Sequence, residues 1–345
     1  MSWIRRIAEP VLSPTPVSMR RIAIAGIVAN TVIMSTGAAV RLSKSGLGCP
    51  DWPRCTRASI VASHSAGQTT LNTWIEFGNR LLNFPLVAVA AIVFIAAWRY
   101  RPPGTPADGT GRRKDLVWLA AAQPGGVVAQ AVLGGILVLA RLNPALVSAH
   151  FLLSSSIVAA AVVFYVRCTE GTARPRSLVR PDLRLLSGAL VGAVALMLAA
   201  GTVVTGTGPL AGNADAPRYH LPLAGVTQLH ADIGWLMGGL AAALILGLRL
   251  TGAPRRAVRL GWRLIAIMGV QGMLGYVQYF SGLPAALVWV HVTTSMLVWI
   301  SVLLLFFALR DRGGVPGSAG TEQPATEAEP AEATTDAGRA EVLAP

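Results

Sequence analysis

Three of the five histidines in this 345-residue chain fall inside long apolar runs: His150, His230 and His291. A neutral imidazole in water-poor surroundings is a good metal ligand. A single one could equally serve as a hydrogen-bonding group between helices. Polar groups at membrane depth are expensive, however, and tend to be functional. All three stand about 5–7 residues inside the same end of their runs, roughly 7–10 Å deep at about 1.5 Å per residue. Asn79 takes that depth in a fourth run. Zinc would want a third or fourth ligand nearby, and no such cluster is visible. Haem iron needs only two, one on each face. His230 and His291 are therefore read as the axial pair of a six-coordinate haem b that stays bound and carries electrons. His150 opposite Asn79 would hold a haem by one strong bond at most, which suits a haem that enters, reacts and leaves. His64 and His220 lie in polar loops and are read as solvent-exposed.

Glu76 precedes Asn79 by one helical turn on the same face. It can pair with Arg80 as an i,i+4 ion pair, or act as an acid handling protons beside the haem site; its closeness to the ligand layer favours the second role. Arg80 could then serve a haem propionate. Cys49 and Cys55 flank a short stretch containing Pro50 and Pro53. In a loop on the oxidising side they should form a disulfide. It is read as a staple, with a redox role as the alternative. Cys168 has no evident partner and is expected as a free thiol at the inner end of its helix.

The elements that must position these residues are membrane helices. The chain is 53% hydrophobic and 13% charged, with a mean hydropathy of +0.55. Apolar runs of bilayer-spanning length fall at about residues 22–40, 74–98, 116–140, 145–166, 185–206, 225–248, 260–281 and 285–309. They are too long for barrel strands. The first leads into a loop without a small-residue cleavage site, so it reads as a span and not as a cleavable signal. The net charge of +13 could suggest nucleic acid. Its distribution says otherwise. Arg and Lys crowd the segments near 5–21, 99–114, 167–184 and 249–263, while the other loops hold only Arg41, Lys44, Arg54, Arg57, Arg141 and Arg218. This is the positive-inside pattern, with both termini cytoplasmic in a cell membrane and anionic lipid as the partner of the basic groups. No nucleic acid is expected.

The chain also repeats itself. Residues 130–154 fall on 271–295 without a gap: Gln130 on Gln271, Gly134 on Gly275, Leu142 on Leu283, His150 on His291. Gly37-x-x-Val40 echoes Gly201-x-x-Val204 more weakly. Four spans per half return the chain to its starting side, so the halves share one orientation. The expected fold is an all-α membrane protein of eight transmembrane helices, arranged as two pseudo-symmetric four-helix bundles. The halves are residues 1–170, with the outer loop and the reactive site, and 171–312, with the haem b site. Residues 313–345, rich in Ala, Glu, Pro and Thr, are expected to be a disordered cytoplasmic tail.

The stretch Gly37-Ala-Ala-Val-Arg-Leu-Ser-Lys-Ser-Gly-Leu-Gly-Cys-Pro-Asp-Trp-Pro-Arg-Cys55 resembles the first outer loop of the haem A synthase family. Trp74-Ile-Glu-Phe-Gly-Asn-Arg80, Gln130-x-x-Leu-Gly-Gly135 leading to His150, Gly201 to Gly208, and Gln271-x-x-Leu-Gly275 leading to His291 are similar to that family as well. The resemblance runs from about residue 20 to 310. It implies an oxidoreductase that uses molecular oxygen and supplied electrons to convert the C8 methyl of haem O to the formyl of haem A. It implies haem b on His230 and His291, and a substrate side at Glu76, Asn79 and His150. It implies haem O synthase and terminal oxidase assembly factors as partners; a homo-oligomer is left open. Two departures stand out. Many members have histidine where this chain has Asn79. Many bacterial members also carry a cysteine pair in the third outer loop, here Gly208 to Pro222, where this chain has none. A bis-histidine electron-transfer protein and a haem transporter remain the alternative functions.

Overall fold

The structure is a computed structural model and describes residues 9–63, 69–102 and 111–315. His64, Arg5, Arg6 and the tail from residue 316 lie outside the described residues. Among the described residues, eight helices are long and apolar enough to cross a membrane: Pro16–Leu42, Thr70–Arg99, Lys114–Leu139, Pro144–Thr169, Pro181–Thr207, Leu223–Leu250, Arg255–Phe280 and Ala285–Ala308. They are called the first to eighth spans below. The second is interrupted at Leu82, giving helices Thr70–Leu81 and Asn83–Arg99. The helices overrun the apolar windows because capping residues lie outside the hydrophobic stretch. Thr15 accepts from Ser18 N–H, Thr69 from Asn72 N–H and Asn143 from Ala145 N–H. Pro16, Pro144 and Pro181 open three spans, where a missing N–H is harmless.

The outward faces are apolar. Phe280 is 79% exposed and Trp118 and Leu185 are each 77% exposed, which only a hydrocarbon solvent tolerates on this scale. The inward faces pack in a repeated order. The first four spans close a ring in chain order, with the fourth returning to the first, and the last four do the same. The rings meet where the fourth span touches the eighth, the first touches the eighth and the fourth touches the fifth. Exchanging first with fifth and fourth with eighth leaves this contact set unchanged, as a twofold axis along the membrane normal would require.

The repeat extends to the backbone. Leu142 and Leu283 both take φ near +61°, in the turns that join the third span to the fourth and the seventh to the eighth. Leu142 N–H donates to Leu137 O at 3.0 Å and Leu283 N–H donates to Gln278 O at 2.8 Å. A left-handed leucine is unfavourable by itself; Leu142 is held there by burial against Leu47, Val138, Ala211 and Ala216.

At the end carrying most of the basic residues, Arg167 donates to Asp115 and Glu170, and Arg310 donates to Glu170. Residues 176–177 and 310–311 pair as a short antiparallel ribbon. Together these contacts tie the loop between the halves to the end of the eighth span. Cys168 lies buried beside Tyr100, Leu116 and Phe164 with its thiol free, at the place expected for it.

Candidate functional site

The loop that follows the first span is built on the second span. Glu76 is 5% exposed and its Oε2 accepts from Cys49 N–H at 2.7 Å. Arg80 Nη2 donates to Glu76 Oε1 at 2.6 Å and to Cys49 O at 2.7 Å; Nη1 donates to Asp51 O and Arg54 O. The expected i,i+4 pair is therefore present, and it doubles as the anchor of the loop. Both terminal nitrogens of Arg80 are engaged, so a propionate would have to share them. Cys49 and Cys55 form the expected disulfide. Gly48 runs so close to the backbone of Asn72 and Thr73 that any side chain there would collide with it. Gly46 N–H donates to Gly212 O at 3.0 Å, joining this loop to the one that follows the fifth span. Arg41 donates to Leu210 O and Thr205 O, tying the end of the first span to the end of the fifth.

His150, His230 and His291 lie six, seven and six residues after Pro144, Leu223 and Ala285, the first residues of their spans. Their seating is the same in each case. A Cβ added at Gly134 would stand 3.2 Å from His150 Cε1, one at Gly201 3.2 Å from His230 Cε1, and one at Gly275 3.3 Å from His291 Cε1. Each ring thus lies edge-on against a glycine of the preceding span. All three Nδ1 atoms are buried there without a partner. The Nε2 atoms make no hydrogen bond and are not among the buried ones, so they are the nitrogens left available to a ligand.

A second device fixes the register. Gln130 Nε2 donates to His150 O at 2.9 Å, and Gln271 Nε2 donates to His291 O at 2.7 Å. Ser154 and Thr294 complete the two clamps. These glutamines and glycines are the matched residues of the repeat. The repeat marks them, but only the folded chain shows that they hold the histidine from two sides.

His230 and His291 come together with ring centres 6.4 Å apart and planes inclined by 62°. Two imidazoles on opposite sides of one metal stand about 6 Å apart, given bonds of about 2 Å and about 1 Å more from each nitrogen to its ring centre. The pair fits the group that the resemblance implies. In the other half Asn79 Oδ1 is buried and unpaired, and a Cβ on Gly37 would meet nothing within 4 Å. Asparagine does not fill the space that histidine takes against Gly201. Trp52 adds a difference between the halves: its indole lies on Gly135, beside the glycine that seats His150, and the repeat has Tyr276 in place of that second glycine. His220 is exposed, as expected of it.

The fold defines a polytopic helical membrane protein, with a facing imidazole pair in one half and a single histidine, His150, in the related span of the other. The COX15-CtaA family profile, cytochrome oxidase assembly protein, matches residues 20–225, and the chain belongs to that family. The matched part contains the loop after the first span, Glu76, Asn79 and His150, and it stops before His230 and His291. The chain is also 26% identical over 323 residues to heme A synthase of Bradyrhizobium sp. (strain ORS 278), covering 80% of this chain and 86% of that protein. A shorter similarity, 26% over 98 residues, links it to heme A synthase of Geobacillus thermodenitrificans, covering 27% of this chain and 29% of that protein.

Proposed function

We propose that this protein is a haem A synthase, an oxidoreductase that converts the C8 methyl of haem O to a formyl group with molecular oxygen and supplied electrons. The observation that carries this reading is the asymmetry of the histidine layer. One half has two imidazoles at the spacing of a bis-axial pair. The other carries one histidine, His150, with Asn79 in the second span where the related half has His230, and with Glu76 buried one helical turn before Asn79. A pure electron-transfer protein would favour two equivalent sites.

In this reading residues 171–312 hold haem b through His230 and His291, and bound haem b supplies one-electron transfer. Residues 1–170 receive haem O as substrate. His150 ligates it, and Gly134 and Gln130 keep the imidazole in place. Asn79 leaves the opposite side without a strong ligand. Glu76 holds or moves a proton at its carboxylate, and its bonds to Cys49 N–H and Arg80 fix where that carboxylate stands. The Cys49–Cys55 ring keeps the loop folded over this end of the second span. The histidine layer faces the outer side of a cell membrane, with the basic ends cytoplasmic. The product would go to assembly of a terminal oxidase, with haem O synthase as the supplier.

The test is to express the protein with haem O and a reductant, then extract its pigments. Haem A is the expected product. Bound haem without a formyl product would point instead to an electron carrier or a transporter. The protein purified without substrate should show one low-spin haem, lost when His230 or His291 is replaced.

A further inference from the structure

At the end of the bundle opposite the histidine layer, an open, solvent-facing cavity of about 590 Å³ lies where the sixth span turns into the seventh. Leu248, Ala253 and Val258 give it an apolar wall, and Arg249, Arg255 and Arg259 line its polar side. Local structure explains the cluster. Gly252 at φ +66° makes a tight turn, closed by Ala253 N–H donating to Leu248 O at 2.9 Å. That turn brings Arg249 beside the start of the next helix. Arg255 and Arg259 are one helical turn apart and share a face. Arg249 lies over the Trp262 ring at 5.4 Å, which leans it toward the seventh span.

Among the described residues these three arginines have no carboxylate partner. At the same end Asp115, Glu170 and Asp182 are already taken by Arg113, Arg167, Arg310 and Arg180. The charge is left for an anion from outside. The seventh span is also the least enclosed of the eight, with 11% of its most apolar stretch buried against 22–33% in the others.

We propose that this cavity is a binding site for the phosphate headgroup of an anionic phospholipid. The guanidinium groups bind the phosphodiester, and the glycerol and first acyl carbons lie on Leu248, Ala253 and Val258. Guanidinium pairs with phosphate oxygens in two-pronged fashion, and basic pockets between spans are where such headgroups settle.

The test uses the full chain in detergent, with native mass spectrometry to count bound lipid. Phosphatidylglycerol should be retained at least tenfold better than phosphatidylcholine. In the triple variant Arg249→Gln, Arg255→Gln, Arg259→Gln that preference should fall to within twofold. A control triple variant on the same side, Arg174→Gln, Arg176→Gln, Arg184→Gln, should keep it. Should the first triple variant not fold, Arg255→Gln and Arg259→Gln singly are each expected to lower the preference at least threefold. An unchanged preference in the cavity variants, or an equal loss in the control, would overturn the proposal. Displacement of the lipid by millimolar inorganic phosphate would assign the cavity to a free anion and also overturn it.

Discussion

Replacing Gly201 by alanine should weaken haem binding without weakening the apoprotein. The added methyl would stand 3.2 Å from His230 Cε1, short of the ordinary carbon–carbon contact of about 3.5–4.0 Å. Gly201 sits within a helix, so its backbone cannot readily give, and the imidazole must retreat by a few tenths of an ångström. Overpacking of this kind costs roughly 1–3 kcal/mol. At about 1.4 kcal/mol per decade, that is a loss of roughly 5- to 150-fold in affinity. The helix itself gains about 1 kcal/mol from alanine. Haem affinity and apoprotein stability should therefore move in opposite directions. Gly37→Ala is the control, because at that related position nothing lies within 4 Å. The assay is haem titration of apoprotein in detergent, followed by the Soret band and by competition with a soluble haem acceptor, with thermal melting of the apoprotein alongside. Wild-type affinity in Gly201→Ala, or an equal loss in Gly37→Ala, would refute the reasoning.

Glu76→Gln keeps an acceptor for Cys49 N–H but removes the charge opposite Arg80, so conversion of haem O should stop with haem b still bound. Glu76→Ala should in addition lower stability by about 1–3 kcal/mol, the usual effect of leaving a buried donor unpaired; loss of haem b in either variant would break the division between the halves. Gln271→Leu removes the donor to His291 O and the acceptor of Thr294, and should cost about 1–3 kcal/mol. A shifted or broadened low-spin Soret band is its check, and an unchanged band would remove the clamp from the account. The double variant Cys49→Ser, Cys55→Ser opens a short ring and should cost about 2 kcal/mol. As a staple it should lower the melting temperature while conversion continues below it; loss of conversion in folded protein would give the disulfide a redox role.

The outer loop shows how far local reading goes and where it stops. Cys49, Cys55, Glu76 and Arg80 were each legible as reactive or pairing residues, and the i,i+4 spacing alone placed Arg80 beside Glu76. That the same two side chains carry the loop was not legible, because Cys49 O, Asp51 O and Arg54 O are backbone atoms some thirty residues distant in the chain. Gly48 and Gly135 read simply as motif glycines; the structure shows one pressed to a helix backbone and the other under Trp52.

What the sequence determines by itself is the number of spans, their length, the crowding of basic charge at one end, the repeat and the common depth of the histidines. Each of these follows from one-dimensional physics: apolar length against bilayer thickness, and 1.5 Å of rise per residue. Only the tertiary structure decides which histidines face each other, because that depends on the rotation of each span about its axis. Rotation is set by close contacts between distant residues, such as Gly201 on His230 and Gln271 on the His291 carbonyl. A linear pattern can mark such residues through the repeat, but it does not carry the angle at which two helices meet.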